Sequence, residues 1–382
     1  MFKRKKQQEA INLYSEQTIP ASKPQKVPLG VWLKTHKKLT ALFAIILVSL
    51  IAGGTVLALH FFSPKPAETG NEIAKEEPKK PAPVINYYSP LTGLKVADEN
   101  TTKQAVTGIM IENSPEARPQ SGLKNSGVVF EAIAEGGITR FLAIYQQEKP
   151  QLIGPVRSVR MYYVDWIAAF NASVAHIGGS AAALAEVRNG SYRDIDQFFN
   201  AGSYWRATDR YAPHNVYTSF ERLDALNNAK GYTSSQFNGF SRKDSQPEAT
   251  PTATNIDVTI SSYLYNSHYT YNTTTNTYDR SQAGAAHLDR EDGQISPRVV
   301  VVLKVQENTV LEDGYRQSIN AVGSGGAVIF QDGTATEVTW SKPSRADQIT
   351  FTDANGANFS LARGQTWVTA IPENNGGTVS WQ

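Results

Sequence analysis

The sequence predicts an α+β protein: an N-terminal transmembrane helix, a first domain of α/β type with a mixed sheet and helices, and a β-rich second domain. Three observations lead there. An uncharged apolar run occupies residues 39–62, strand-like and helix-like periodicities alternate over residues 90–232, and period-two alternation with Asp-Gly and Asn-Gly turns fills residues 254–382.

The chain has 382 residues with 40% hydrophobic composition, enough for two cores. Residues 1–38 carry nine Lys and Arg against Glu9 and Glu16, a balance of +7. The whole chain is only +2, so the remainder stands at −5 and gives no reason to expect nucleic acid as a partner. Leu39 to Phe62 contains no Asp, Glu, Lys or Arg and is long enough to span a hydrocarbon core as a helix. Lys34, Lys37 and Lys38 flank its N-terminal end, which predicts a cytoplasmic basic tail at 1–38 and an extracytoplasmic remainder. A cleaved secretory signal is the alternative, but the long polar lead favours a single-pass anchor. Residues 63–89, with Pro64, Pro66, Pro78, Pro81 and Pro83 among Lys and Glu, read as a stalk. The chain has no cysteine, which excludes disulfides, thiolate metal sites and a cysteine nucleophile.

Over residues 90–232, strands are expected at 105–111, 127–134, 138–146 and 172–177, and helices at 156–170, 181–188 and 219–228. The stretch from Glu135 to Phe170 organises this domain: a Gly136-Gly137 turn, a buried strand, a Gly154-Pro155 turn and a helix start. Arg140, Arg157 and Arg160 stand at its junctions. Arg157 and Arg160 fall off the apolar face of the expected helix and in its first turn, where the dipole disfavours a cation. They are therefore candidates for holding an anionic ligand or a partner's carboxylate. The competing reading is an internal ion pair, with Asp165 for example.

Two further stretches invite chemistry. His176-Ile-Gly-Gly-Ser180 ends a strand and offers Ser180 as a helix cap, a backbone nest suited to an anion or a plain strand-to-helix turn. It lacks the lysine of a phosphate-binding loop and the second glycine of a nucleophile elbow. Arg206, Arg210 and Ala212-Pro213-His214-Asn215 crowd polar groups into one loop. Residues 233–253, rich in Ser, Pro and Thr, read as a linker. Beyond it, strands are expected at 257–265, 270–278, 298–305, 327–330, 337–340, 348–351 and 366–370, with Trp340 and Trp367 as core aromatics. His287 and Asp289 are too few ligands for a metal, and no motif implies a cofactor.

Asn113 with Ala117-Arg-Pro-Gln-Ser-Gly-Leu123, Val129-Phe-Glu131, Glu135-Gly-Gly-Ile-Thr-Arg-Phe141, Ile153-Gly-Pro-Val-Arg-Ser-Val-Arg160, His176 to Ser180 and Ala212 to Asn215 follow one another in this order. Tyr278-Asp-Arg280, His287-Leu-Asp289 and Gly364-Gln-Thr-Trp367 continue the series. In these motifs, from about Ser89 to Trp367, the chain resembles the YerB-like family of bacterial envelope proteins. The resemblance implies an extracytoplasmic location and two domains of unknown function, and it assigns no activity. Lipoprotein members carry a lipidated cysteine where this chain would use a helix.

The leading functional expectation is a membrane-tethered binding or scaffold protein that recognises an anionic wall polymer or an envelope protein partner. Arg118, Arg140, Arg157, Arg160, Arg206 and Arg210 would supply charge, and His176, Ser180, His214 and Asn215 hydrogen bonds. The alternative is an envelope hydrolase or transferase in the same cleft, with Glu131 or Glu135 as base, His176 or His214 as acid or base, and arginines stabilising the transition state. No Ser-His-Asp spacing selects a mechanism.

Overall fold

Apolar runs with period-two alternation become strands of one large sheet with a core on each face. The computed structural model describes residues 85–309 and 316–382, so the expected tail, transmembrane helix and nearly all of the stalk lie outside the described residues. Among the described residues, no helix is long and apolar enough to cross a membrane.

In chain order the principal elements are β1 (Thr107–Glu112), β2 (Val128–Ile133), β3 (Thr139–Tyr145), α1 (Met161–Ile167), β4 (Ser173–Ala175), α2 (Ala181–Val187), β5 (Arg193–Asp194) and α3 (Phe220–Ala229). There follow β6 (Asn255–Thr259), β7 (Ser267–Asn272), β8 (Thr277–Gln282), β9 (Ala285–Ala286), β10 (Val299–Val305), β11 (Gly323–Gln331), β12 (Thr334–Lys342), β13 (Thr350–Thr352), β14 (Thr366–Pro372) and β15 (Thr378–Trp381). The main sheet has ten strands in the order β13-β12-β11-β10-β14-β2-β3-β1-β4-β5. A second sheet runs β9-β8-β7-β6-β15.

The two regions of the sequence share the main sheet. β14 lies between β10 and β2 and pairs in parallel with both, Thr369 opposite Glu131. Alternate residues of these strands enter different cores. Met110, Phe130 and Leu142 pack with α1, where the Phe130 ring stacks on Trp166 at 5.1 Å. Ile109, Val129, Phe141 and Trp367 face α3 and the small sheet, meeting Phe220, Tyr269 and Tyr278. Trp340 and Trp367 are both buried.

An expected helix and two expected strands differ. The helix expected over 156–170 begins only at Met161, with Arg160 as its N-cap, and a 3-10 turn at Ala168–Phe170 extends it. Residues 156–160 are held as extended chain instead, because the N–H groups of Val156, Arg157 and Val159 donate to Val216 O, Met110 O and Gly178 O. Val156 and Val159 consequently enter opposite cores, although their spacing suggests one helical face. Arg157 and Arg160 thus precede the first helical turn. The strands expected at 257–265 and 270–278 also shift. A turn intervenes where Tyr265 N–H donates to Ser262 O and Asn266 Oδ1 accepts from the N–H groups of Ile260 and Ser261.

Candidate functional site

Strands β10, β14, β2, β1, β4 and β5 all run in one direction, so their carboxyl ends share one edge of the sheet. In open sheets of this kind, the crevice at the carboxyl ends is where ligands bind. Here that edge carries the charges: Glu112 ends β1, Glu135 follows β2, His176 follows β4 and Asp194 ends β5.

The charges fall into three clusters. Glu135 is the hub of the first. Arg140 reaches it at 3.1 Å, Arg160 contacts it directly, and Arg316 lies 3.6 Å away. Burial alone would raise the Glu135 carboxyl, but the neighbouring Arg140 and Arg160 hold it below the ordinary glutamate value. A cavity of about 140 Å³ opens beside Arg160 and Ser180. In the second cluster, both ring nitrogens of His176 face oxygens, Nδ1 to Gly178 O at 2.8 Å and Nε2 to Asp194 Oδ1 at 3.0 Å. Gly178 N–H donates to Asp196, and Ser180 N–H to Val159 O, so these two N–H groups are taken up by the protein itself.

In the third cluster Arg157 and His214 are each about a quarter exposed. Glu112 Oε1 accepts from Ser114 Oγ at 3.0 Å and faces His214 Nδ1 at 2.9 Å, while Arg157 Nε stands 3.2 Å away, outside hydrogen-bonding geometry. Glu112 Oε2 is buried without a hydrogen-bond partner among the described residues. Ser114 and Glu112 both meet the same imidazole nitrogen, 3.2 and 2.9 Å away. A nucleophile-imidazole-acid relay needs them on opposite nitrogens, so no such relay is assembled. The Gly154–Pro155 turn that leads into Arg157 is fixed by close approach. Gly154 has φ +150, and a Cβ there would lie 2.8 Å from Val216 O.

Behind this edge, a fully buried polar ring supports the end of β1. Arg280 Nη2 donates to Glu131 Oε2 at 2.9 Å, with both side chains inaccessible to solvent. Trp367 Nε1–H and Thr139 Oγ–H also donate to Glu131, and Asn113 Nδ2 donates to Thr139 at 2.6 Å. Arg280 Nη1 donates to Gln282 and to His287 Nδ1; His287 Nε2–H then donates to Gln120, whose amide returns to Asn113 Oδ1 and Glu112 O. Because a guanidinium can only donate, His287 Nδ1 must accept, which fixes the neutral Nε2–H tautomer. Burial, with Arg280 and Arg118 nearby, depresses the His287 imidazole well below its usual value. Burial would also lower the Arg280 guanidinium, yet Glu131 overrides it and raises it.

The model described as "Protein of unknown function (DUF3048) N-terminal domain" matches residues 91–233, and the corresponding C-terminal domain matches residues 256–368. "Putative lipoprotein YerB" of Bacillus subtilis (strain 168) is 31% identical over 297 residues, 76% of this chain and 88% of that protein. The chain belongs to the YerB-like family. A crystal structure of YerB protein from Bacillus subtilis superposes with a TM-score of 0.69 at 29% identity, covering 77% of this chain and 99% of that one. The buried ring combines residues from both matched regions: Glu131 and Asn113 from the first, Arg280 and His287 from the second.

The candidate residues do not converge on a single cleft. Arg140 and Arg160 join Glu135, Glu131 is enclosed by Arg280, and His176 is fully buried between β4 and β5. Arg118 donates to Asn113 and to Leu264 O and lies over the Tyr265 ring. Arg206 binds Asn215, while Arg210 binds Pro119 O. Arg157 and His214 meet across a different carboxylate, Glu112, which the sequence did not single out. Asp165 pairs with Arg345, not with Arg157 or Arg160. Glu112, Ser114 and Arg280 sit within strands or a short turn; in sequence Glu112 is simply the last residue of an apolar run and Arg280 one polar member of an alternating strand.

Proposed function

We propose that this chain is a membrane-associated, extracytoplasmic binding protein that takes an anionic group at the carboxyl edge of its main sheet through Arg157. One observation carries this reading. Arg118, Arg140, Arg160, Arg206 and Arg210 donate hydrogen bonds within the protein, whereas the Arg157 side chain makes none among the described residues and is about a quarter exposed. An arginine fork in that state is suited to a carboxylate or phosphate. The membrane association rests on the apolar run at 39–62, which we read as a single-pass anchor with a cytoplasmic N-terminus, and on the lipoprotein name of the Bacillus relative. No cysteine stands in this sequence to carry a lipid. An anionic wall polymer or a carboxylate-bearing envelope protein fits both location and site.

The test is thermal unfolding of the detergent-solubilised full chain against phosphate- and carboxylate-bearing wall fragments at low and high salt. A ligand of the native state raises the midpoint by mass action. The rise should weaken with salt and vanish in Arg157→Ala, whose own stability should fall by no more than about 1 kcal/mol, as for a partly exposed ion pair. A shift that persists in Arg157→Ala, or a collapse in its stability, defeats the assignment.

A further inference from the structure

We infer that the Glu112–His214–Arg157 cluster takes a hydroxyl-bearing anion, a group in which a carboxylate or phosphate stands beside a sugar or polyol hydroxyl. This rests on the reading of Arg157 given above and narrows its ligand.

A bare anion satisfies only part of the cluster. Glu112 lies 3.2 Å from Arg157 and offsets its charge, so a ligand that offers nothing but negative charge also meets a carboxylate. That carboxylate is 3% exposed, and its Oε2 lacks a donor among the described residues. A buried acceptor left unsatisfied is costly, so a ligand donor has something to gain there. Arg157, without a hydrogen bond among the described residues and partly exposed, is the group that meets the anion.

His214 asks for the same chemistry. Its Nδ1 faces Glu112 and Ser114, and its Nε2 has no partner among the described residues. In the neutral ring the proton then sits on Nδ1, facing the carboxylate, and Nε2 presents a lone pair that a hydroxyl can donate to. Tyr211 belongs to the same turn as His214. His214 N–H donates to Tyr211 O and closes a turn, so the two Cα atoms lie within about 7 Å. Tyr211 is 92% exposed, a flat apolar face that its own fold does not use. Aromatic faces of this kind suit the C–H surface of a sugar or polyol next to its hydroxyls. Anion for Arg157, hydroxyl for Nε2 and carbon skeleton for Tyr211 describe one small ligand.

Two envelope sources share this chemistry, and the experiment separates them. The full chain in detergent is titrated with glycerol 3-phosphate and with N-acetylmuramic acid, against inorganic phosphate, acetate and glycerol as partial probes. At least one of the first two should bind about tenfold tighter than the matching simple anion, and which one does so names the source. His214→Asn keeps a donor to Glu112 but removes Nε2, and it should erase that preference. Tyr211→Ala should weaken binding several-fold with an unchanged melting midpoint. If all anions bind equally and Arg157→Ala abolishes them, the anion site stands and the hydroxyl inference fails. If no probe binds, both fail. A preference that survives both His214→Asn and Tyr211→Ala overturns the cluster as its origin.

Discussion

Replacing Arg280 with Met tests whether the buried ring holds the two halves together. The Arg280 and Glu131 side chains are both wholly inaccessible, and after the substitution Glu131 keeps, among the described residues, the Thr139 and Trp367 donors. Breaking a buried pair from one side costs about 3–5 kcal/mol, because the other charge is left uncompensated. Unfolding entropy of roughly 2 cal/mol/K per residue over about 300 residues converts that into a fall of about 5–8 °C in the midpoint. His287 Nδ1, Gln282 Oε1 and the Tyr269 hydroxyl also lose their shared donor, so the upper end is expected. The assay is a double-mutant cycle by urea unfolding, followed by circular dichroism, with Glu131→Gln as the second arm. The double variant should be more stable than the sum of the two losses by at least about 1 kcal/mol, since it leaves no orphan charge. A single variant within about 1 kcal/mol of the parent, or strictly additive losses, refutes the argument.

Three further outcomes follow from the same geometry. His287 is held neutral in the fold, whereas unfolded histidine takes a proton below about pH 6.5. Its contribution is therefore complete above that pH and lost as the pH falls, at up to about 1.4 kcal/mol per pH unit; urea midpoints between pH 7 and 5 should fall less steeply in His287→Gln. Burial pushes the Lys342 ammonium down to about 8, so between pH 8 and 10 the unfolded chain binds more protons and stability should rise with pH. Lys342→Met should remove that rise, which the same titration checks. Gly154→Ala would push a Cβ against Val216 O at a backbone angle that side chains avoid; a loss of about 1–3 kcal/mol in urea unfolding, with weakened anion binding, is expected.

Much of the fold is legible because apolar periodicity is local. β1, β2, β3 and β10 are announced by buried runs, and α2 and α3 by their spacing after Ser180 and Ser219. Residues 156–160 misled because Val156 and Val159 have helical spacing, yet the partners that hold them, Val216, Met110 and Gly178, are distant in sequence. The order of the main sheet is illegible for the same reason: the pairing of Glu131 with Thr369 leaves no trace near either residue. At the site, Arg157 and His214 stand out because they follow Gly-Pro and Ala-Pro turns. Glu112 does not, because ending an apolar strand looks the same whether the carboxylate meets water or an imidazole. Arg280 is the sharper case. An arginine in an alternating strand suggests solvent, and only the carboxylate of Glu131, supplied from the other half, makes an inward direction tolerable.

The placement of β14 has a consequence for the way this protein is made. Its neighbours β2 and β10 are complete well before it, but Glu131 meets its strand partner only when Thr369 has been synthesised, roughly 240 residues later. At about 5–20 residues per second, that is a delay of some 12–50 s in which the edge of β2 has no neighbour on that side. The nascent chain must therefore stay unfinished, and in need of protection from aggregation, until β14 has emerged. A nascent chain stopped before residue 366 would leave β2 and β10 with unfilled edges, so completion of the C-terminal segment is the step that commits the whole molecule to its fold.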